Sequence, residues 1–301
     1  MGTFTKQIYR YTHPRRMRHN ENLWPFVKIQ RDDFGAISKV SYRNNIITLQ
    51  NLSTLKDSFD GNALLIATGP SIKKIDFSAI KSIPAIGVNG AWHLNDLVDF
   101  SIYIIVDMLF IDEKTELLKQ IVGKKNLILF TTMHGVVKLV DKFSLKNIKC
   151  KLSIIEDKCS QIFKPQIPFN EIYSTFFPQP QITFLPERKN IGFNYDIRNG
   201  VFDAGTVVYW ALQILSFLGF KKIYIAGLDM TNFSSPRFYE TKDNMLPSFL
   251  DEKLHDIIIP AFTLANQALS NKNIDVINLS LDSAIPSSIF TKLDYRDAFK
   301  E

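Results

Sequence analysis

The stretch Ala63–Asn89, ALLIATGPSIKKIDFSAIKSIPAIGVN, ends an apolar run on Thr68, Gly69, Pro70 and Ser71. Those residue types suit anion binding. A glycine lets a ligand approach the backbone, and a proline fixes the first turn of a helix. The helix N-terminus then offers unpaired N–H groups and a positive dipole end to a phosphate, with the Thr68 and Ser71 hydroxyls beside it. The turn matches neither GxGxxG nor GxxxxGK[ST], and many strand–helix turns hold Gly and Ser for structural reasons alone. Three further apolar runs end in the same manner: Asn89 follows AIGV, Asp107 follows YIIV and Asp229 follows YIAGL. Each reads singly as an Asx turn or helix cap. Together, four hydrogen-bonding strand ends facing one crevice fit a nucleotide-sugar pocket.

Proton transfer near neutral pH would fall to a histidine. The five are His13, His19, His93, His134 and His255. His13 and His19 stand in a basic N-terminal segment, and His134 follows a strand and could reach the crevice. His255 lies in DEKLHDIIIPAF, which also reads as an exposed helix with no role.

These residues need elements to hold them. From Gly61 the pattern alternates: strand Ala63–Ala67, short helix Ser71–Lys81, strands Ala85–Val88 and Phe100–Val106, helix Asp112–Val122, and strands Asn126–Thr131 and Ser153–Glu156. Asp157–Lys189, rich in Pro and Phe, reads as an irregular insertion of the kind that serves a site. Asp203–Phe220 has helical spacing and is stopped by Gly219. The strand in KKIYIAGLDM follows, then a helix over Ser248–Ser270 with Pro260 as a kink or break, and a last strand in NIDVINLS. Continuous apolar strands imply a sheet covered on both faces. The fold class is therefore α/β, Rossmann-like, with a mostly parallel sheet and helices on both faces, and ligands bind beyond the carboxyl ends of its strands. Residues 1–60 read as a basic extension with a hairpin at Asn44-Asn45, and residues 61–301 as the main domain.

The chain has 301 residues, 46% of them apolar and 12% aromatic, which excludes a disordered protein. A net charge of +6 suggests a nucleotide, a phosphorylated glycan or a membrane surface as partner, or simply a solvated surface. Arg10, Arg15, Arg16 and Arg18 form an arm that either meets anionic headgroups or packs Trp24 and Phe26 onto the main domain. Cys150 and Cys159 match no zinc or redox motif. Lys6 stands where a myristoylation signal has Ser or Thr. No signal peptide and no apolar run of about 20 residues is visible. The expected location is the cytoplasm, with peripheral contact at the inner face of its membrane through the arm. No aromatic RNA motif is present, and no nucleic-acid partner is expected.

ATGPSIKKIDFS, GVNGA and LQILSFLGFKKIYIAGLDMTNFSSPRFYE resemble the bacterial sialyltransferases of glycosyltransferase family 42 and, more closely, the lipopolysaccharide-core Kdo transferases. The likeness to the latter runs from about Ser38 nearly to the C-terminus. It implies a GT-A-like variant of the Rossmann fold, a CMP-activated acid sugar as donor, no cofactor, and a metal-independent reaction. The chain contains no D-x-D triplet, in keeping with that implication. Carried over, Thr68, Gly69, Pro70 and Ser71 would lie at the donor phosphate. Asn89 and Asp107 take positions of donor-binding Asn residues, Asp107 departing from the pattern. Thr206 matches a hydroxyl near the donor, and Gly227 and Asp229 would hold the ribose. Two tyrosines of the sialyltransferases stabilise the departing phosphate; here Thr231 stands at the first position, and Arg237 or Tyr239 at the second. His255 lies near the family's base, with Asp256 as neighbour or substitute, and residues 231–250 would form a lid over the donor. The resemblance thus implies an inverting glycosyltransferase moving Kdo from CMP-Kdo to a lipopolysaccharide inner-core acceptor. The alternatives are a sialyltransferase using CMP-sialic acid and a non-catalytic nucleotide- or phosphoglycan-binding module in envelope assembly.

Overall fold

A parallel sheet is buried on both faces, so its strands read as continuous apolar runs. In the computed structural model, which describes residues 3–80, 83–231 and 233–300, those runs are the strands of one compact unit, Leu55–Ile105 with Ala204–Glu301. They are β1 (Asn62–Ile66), β2 (Ala85–Val88), β3 (Phe100–Ile105), β4 (Lys222–Ala226), β5 (Asp275–Asn278) and β6 (Thr291–Lys292). Their order is β6-β5-β4-β1-β2-β3, every pair parallel. From Ala63 to Ile66 all of β1 is buried, as is all of β2. The expected Rossmann-like, mostly parallel sheet is present. The chain builds outward through β1, β2 and β3, then returns to lay β4 on the other side of β1. The strand order therefore reverses between β1 and β4, and at such a switch point the loops at the carboxyl ends part to leave a crevice.

Helix α1 (Val207–Leu218) is apolar all round and buried along almost its whole length. Thr206 starts it by accepting from the Val208 amide. Gly219 stops it at φ 106°, where a Cβ would stand 2.5 Å from the Phe59 carbonyl, so only glycine fits. Helix α2 (Ile259–Ser270) begins later than its spacing suggests. A 3-10 turn (Asp251–Lys253) and a π-helical turn (Leu254–Ile258) precede it, and Pro260 stands in its first turn.

The helix expected over Ser71–Lys81 is a correction. Two 3-10 turns, Pro70–Lys74 and Phe77–Ala79, are separated by extended Ile75 and Asp76. Asp76 accepts from the Ser78 amide and so starts a new turn instead of continuing the first. Lys81, at the end of that expected helix, lies outside the described residues.

The second unit, Met1–Thr54 with Val106–Asp203, contains most of the extension expected over residues 1–60. Strands Val27–Arg31, Ile37–Tyr42 and Asn45–Ile47 form an antiparallel sheet. Arg43 and Asn44, both at positive φ, make the hairpin turn. Strands Ile128–Thr131 and Lys151–Ile154 are parallel. The segment expected to be irregular, Asp157–Lys189, instead holds a short helix (Ile172–Phe176) and the strand Ile182–Leu185, paired antiparallel with Arg188–Asn194. A four-residue strand among prolines and phenylalanines leaves too few alternations to read. The basic arm is helical over Thr3–Thr12. Its Tyr9 is buried and stacks on His13 at 3.9 Å between ring centroids. Among the described residues no helix is long and apolar enough to cross a membrane.

Candidate active site

The two turns that the sequence singled out meet beyond the ends of β1 and β4. β1 leaves through Thr68 and Gly69, and β4 through Gly227, Leu228 and Asp229. The Gly69 amide donates to the Gly227 carbonyl at 3.0 Å, extending the β1–β4 pairing by one step past the strands. Asp229 is 8% exposed. Its carboxylate accepts from the Ser71 amide at 2.8 Å and from the Ser71 hydroxyl. Ser280, two residues past β5, contacts the same hydroxyl at 2.8 Å. Asn278 sets that loop by donating to the Leu228 carbonyl and accepting from the Ser280 amide. Gly69 has an ordinary φ of −67°, so it is not there for backbone freedom. A Cβ on it would stand 2.5 Å from Asp229 Oδ2 and 2.6 Å from the Gly227 carbonyl. Its hydrogen makes room for the aspartate.

Expectation and geometry diverge here. The Ser71 amide, read as free for a phosphate, is held by Asp229, and the Gly69 amide by Gly227. Pro70, exposed, has no N–H. The groups at this turn left for a ligand are side chains: the Thr68 hydroxyl forms no hydrogen bond among the described residues, while its carbonyl accepts from Phe238 N at 3.2 Å.

Asn89 ends β2 with φ 44°, a left-handed conformation that Asn tolerates. Its carbonyl accepts from the Tyr103 hydroxyl at 2.8 Å, and burial holds the Tyr103 phenol well above its ordinary pKa. The Asn89 side-chain Oδ1 is buried and has no hydrogen-bond partner. A buried acceptor left unpaired costs about 1–3 kcal/mol. Directly after it, Gly90 lies under the Tyr239 ring, which occupies the space where a Cβ would stand. The ring also stacks on His93, 5.0 Å between centroids and 12° between planes.

The segment that carries Tyr239 is folded on Glu240. The Glu240 side chain is fully buried. It accepts from the Arg237 amide at 3.1 Å, from Arg237 Nη1 at 2.8 Å and from the Leu246 amide at 3.3 Å. Residues 241–245 beyond it are exposed. Asn232, within the expected lid, lies outside the described residues. Thr206, buried, caps α1, and Gly205 before it is covered by the Lys253 side chain, whose Cδ would stand 2.8 Å from an added Cβ. That contact sets the π-helical turn carrying His255 and Asp256, both exposed, against the start of α1. Single π turns recur at functional sites.

Thr68, Gly69, Ser71, Asn89, Gly227, Asp229, Arg237 and Tyr239 are thus brought together through these contacts, while His255 is exposed on the π-helical turn that follows Lys253. Asp107 belongs to the second unit, where its carboxylate accepts from the Leu109 and Phe110 amides as the cap of the Met108–Glu113 helix. His134, also there, is turned to the His19 carbonyl at 3.0 Å, and burial lowers its pKa. Sequence reasoning missed Ser280, Glu240 and Lys253 and gave no role to His93 or to Gly90 of the GVNGA block. Of the three missed, only Ser280 left a signal, as the polar residue just past the last apolar run.

The chain has relatives among known proteins. The family described as 3-deoxy-D-manno-octulosonic acid transferase WaaZ matches residues 46–295. A probable 3-deoxy-manno-octulosonic acid transferase of Salmonella typhimurium is 28% identical over 74% of this chain and 83% of that protein. One of Escherichia coli strain K12 is 27% identical over 82% of this chain and 87% of that protein. Among solved structures, the sialyltransferase CST-II in complex with trisaccharide acceptor and CMP is similar at 15% identity and a TM-score of 0.40, over 76% of this chain and 84% of that one. A tyrosine-to-phenylalanine variant of CST-II in complex with CMP gives 16% and 0.42 over the same shares. With the family match spanning most of its length, the chain belongs to the 3-deoxy-D-manno-octulosonic acid transferase WaaZ family of glycosyltransferases.

Proposed function

We propose that the protein transfers Kdo from CMP-Kdo to a sugar hydroxyl of the lipopolysaccharide inner core, with inversion and without a metal ion. The observation that supports this reading is the fastening of the Thr68–Ser71 turn to Asp229 at the β1–β4 switch point of a chain in this family, with Asn89 at the end of the neighbouring β2. CMP has one phosphate, so one leaving charge needs stabilising, and side-chain donors can do that.

In this reading Asp229 has two tasks. It holds the Ser71 turn, and its remaining lone pairs accept from ribose hydroxyls. Asn89 Oδ1 accepts from an amino or hydroxyl group of the donor. The Thr68 hydroxyl meets the departing phosphate together with Arg237 or Tyr239; Glu240 holds the Arg237 guanidinium through Nη1. His255 removes the proton of the acceptor hydroxyl as that oxygen bonds to the anomeric carbon. The bond from that carbon to the phosphate oxygen breaks with its electron pair, releasing CMP. The loop organised by Glu240 covers the donor and limits hydrolysis.

The test is CMP release from CMP-Kdo and from CMP-sialic acid, each with an inner-core acceptor. Release from CMP-Kdo alone is the expected result. Release only from CMP-sialic acid replaces the donor assignment, and CMP binding without release from either donor makes the protein a binding module. His255→Ala is expected to lower turnover by about a hundredfold. Full turnover in that variant removes His255 from the mechanism.

A further inference from the structure

Strands covered on both faces read as apolar runs, and Tyr103 is a polar exception inside β3. It stands between Ile102 and Ile104 and is fully buried. Its hydroxyl is what separates it from the phenylalanine that packing alone would accept, and a buried hydroxyl costs free energy unless it is hydrogen-bonded.

In the sheet register Tyr103 lies opposite Gly87 of β2. A Cβ on Gly87 would collide with the Tyr103 ring, so the glycine lets that ring lie across the strand. Trp92 and Phe100 hold the ring edge to face, each at 5.4 Å between centroids. The hydroxyl is thereby carried past the end of β2. There it donates to the Asn89 carbonyl at 2.8 Å and accepts from the Trp92 amide. Both partners belong to the 3-10 turn Asn89–Leu94, so one oxygen from the core pins that turn at its first and fourth residues.

The pin falls where the backbone needs holding. Asn89 has φ 44°, a left-handed conformation that costs L-residues free energy and persists where its surroundings over-determine it. Val88 before it is extended, at φ −128° and ψ 144°. The change of conformation between the two sets the direction of the Asn89 side chain.

We propose that Tyr103 is a positioning residue for the donor: its hydroxyl, reaching out of the core, holds the left-handed turn that presents Asn89. The assignment rests on the donor-site reading, in which the Asn89 side chain meets CMP-Kdo. Gly87 is part of the same device, since a side chain there would push the ring off the turn.

Tyr103→Phe keeps the ring and removes the pin. Donor KM and kcat are measured on the full chain by CMP release from CMP-Kdo with an inner-core acceptor, well below the Tm of each variant. KM is expected to rise about tenfold, with kcat within about threefold of the parent. Asn89→Gly is the second arm. It keeps the left-handed backbone without strain and removes the side chain, so KM should rise by about tenfold or more. In that background Tyr103→Phe should add less than about twofold, because the residue it positions is gone. A substitution that merely loosens the fold would raise KM equally in both backgrounds. Equal effects in the two backgrounds, an unchanged KM in Tyr103→Phe, or an unchanged KM in Asn89→Gly therefore overturns the assignment. A parent that releases no CMP from CMP-Kdo sinks the donor reading and this assignment together, whereas the other three outcomes leave transfer from CMP-Kdo standing.

Discussion

Two buried carboxylates organise the site, and they do so at different ranges. Asp229 joins positions 158 residues apart, fastening the turn after β1 to the turn after β4. Glu240 reaches no further than six residues in either direction, holding Arg237 and Leu246. The first ties together two strand ends that the sheet has already placed side by side, so it adds stiffness to a rigid frame. The second folds a loop onto itself, and its bonds need not break for that loop to move as a body. A donor platform and a cover can therefore be built from the same chemistry, an acceptor pair on backbone amides, simply by changing what is joined.

The comparison is broken most directly at Asp229. Asp229→Ala leaves the Ser71 amide and hydroxyl without their partner and frees the two turns to part. The expected loss is about 2–4 kcal/mol of stability, seen as a fall of about 5–12 °C in Tm. Donor turnover should drop by about a hundredfold, since misplacement of about 1 Å is enough for that. Unchanged Tm with lost turnover would make Asp229 a ligand group only and remove the fastening role.

Gly69→Ala sharpens the same point with less damage. The backbone there suits alanine, so any effect must come from the methyl group pushing on Asp229 and Gly227. About 1–3 kcal/mol of destabilisation is expected from such overpacking, and roughly a tenfold loss of turnover. The double variant with Asp229→Ala should lose less than the two losses added, because one partner of the clash is gone.

How far this site could be read beforehand follows from the range of the forces involved. Thr206, Gly219 and the apolar runs of β1 to β4 answer to neighbours a few residues away, and a sequence displays those directly. That Thr68–Ser71 and Asp229 come together was legible too, since parallel strands put all their carboxyl ends on one side. That Asp229 would take the Ser71 amide was not legible. It depends on the register of β1 against β4, on Ser280 and on a glycine that reads equally well as room for a ligand. The Ser71–Lys81 helix failed on Asp76, whose side chain competes for backbone amides. Glu240 was the least visible, as nothing in a polar loop reveals which glutamate is buried.

Glu240→Gln tests the other half of the comparison and should have the smallest effect on the folded state. Removing one charge of a buried pair costs about 3–5 kcal/mol where the structure cannot relax. A loop that opens by itself limits that loss to its own closing free energy. Gln keeps an acceptor for the Leu246 amide but no charge for Arg237. Tm is therefore expected to stay within about 2 °C of the parent, while the Leu246 amide exchanges faster and the donor KM rises severalfold. The loop would then be a cover whose closure is tuned by one ion pair. If Tm instead falls as far as in Asp229→Ala, Glu240 is part of the rigid frame after all. In that case the cover, and the exclusion of water assigned to it, must come from another part of the chain.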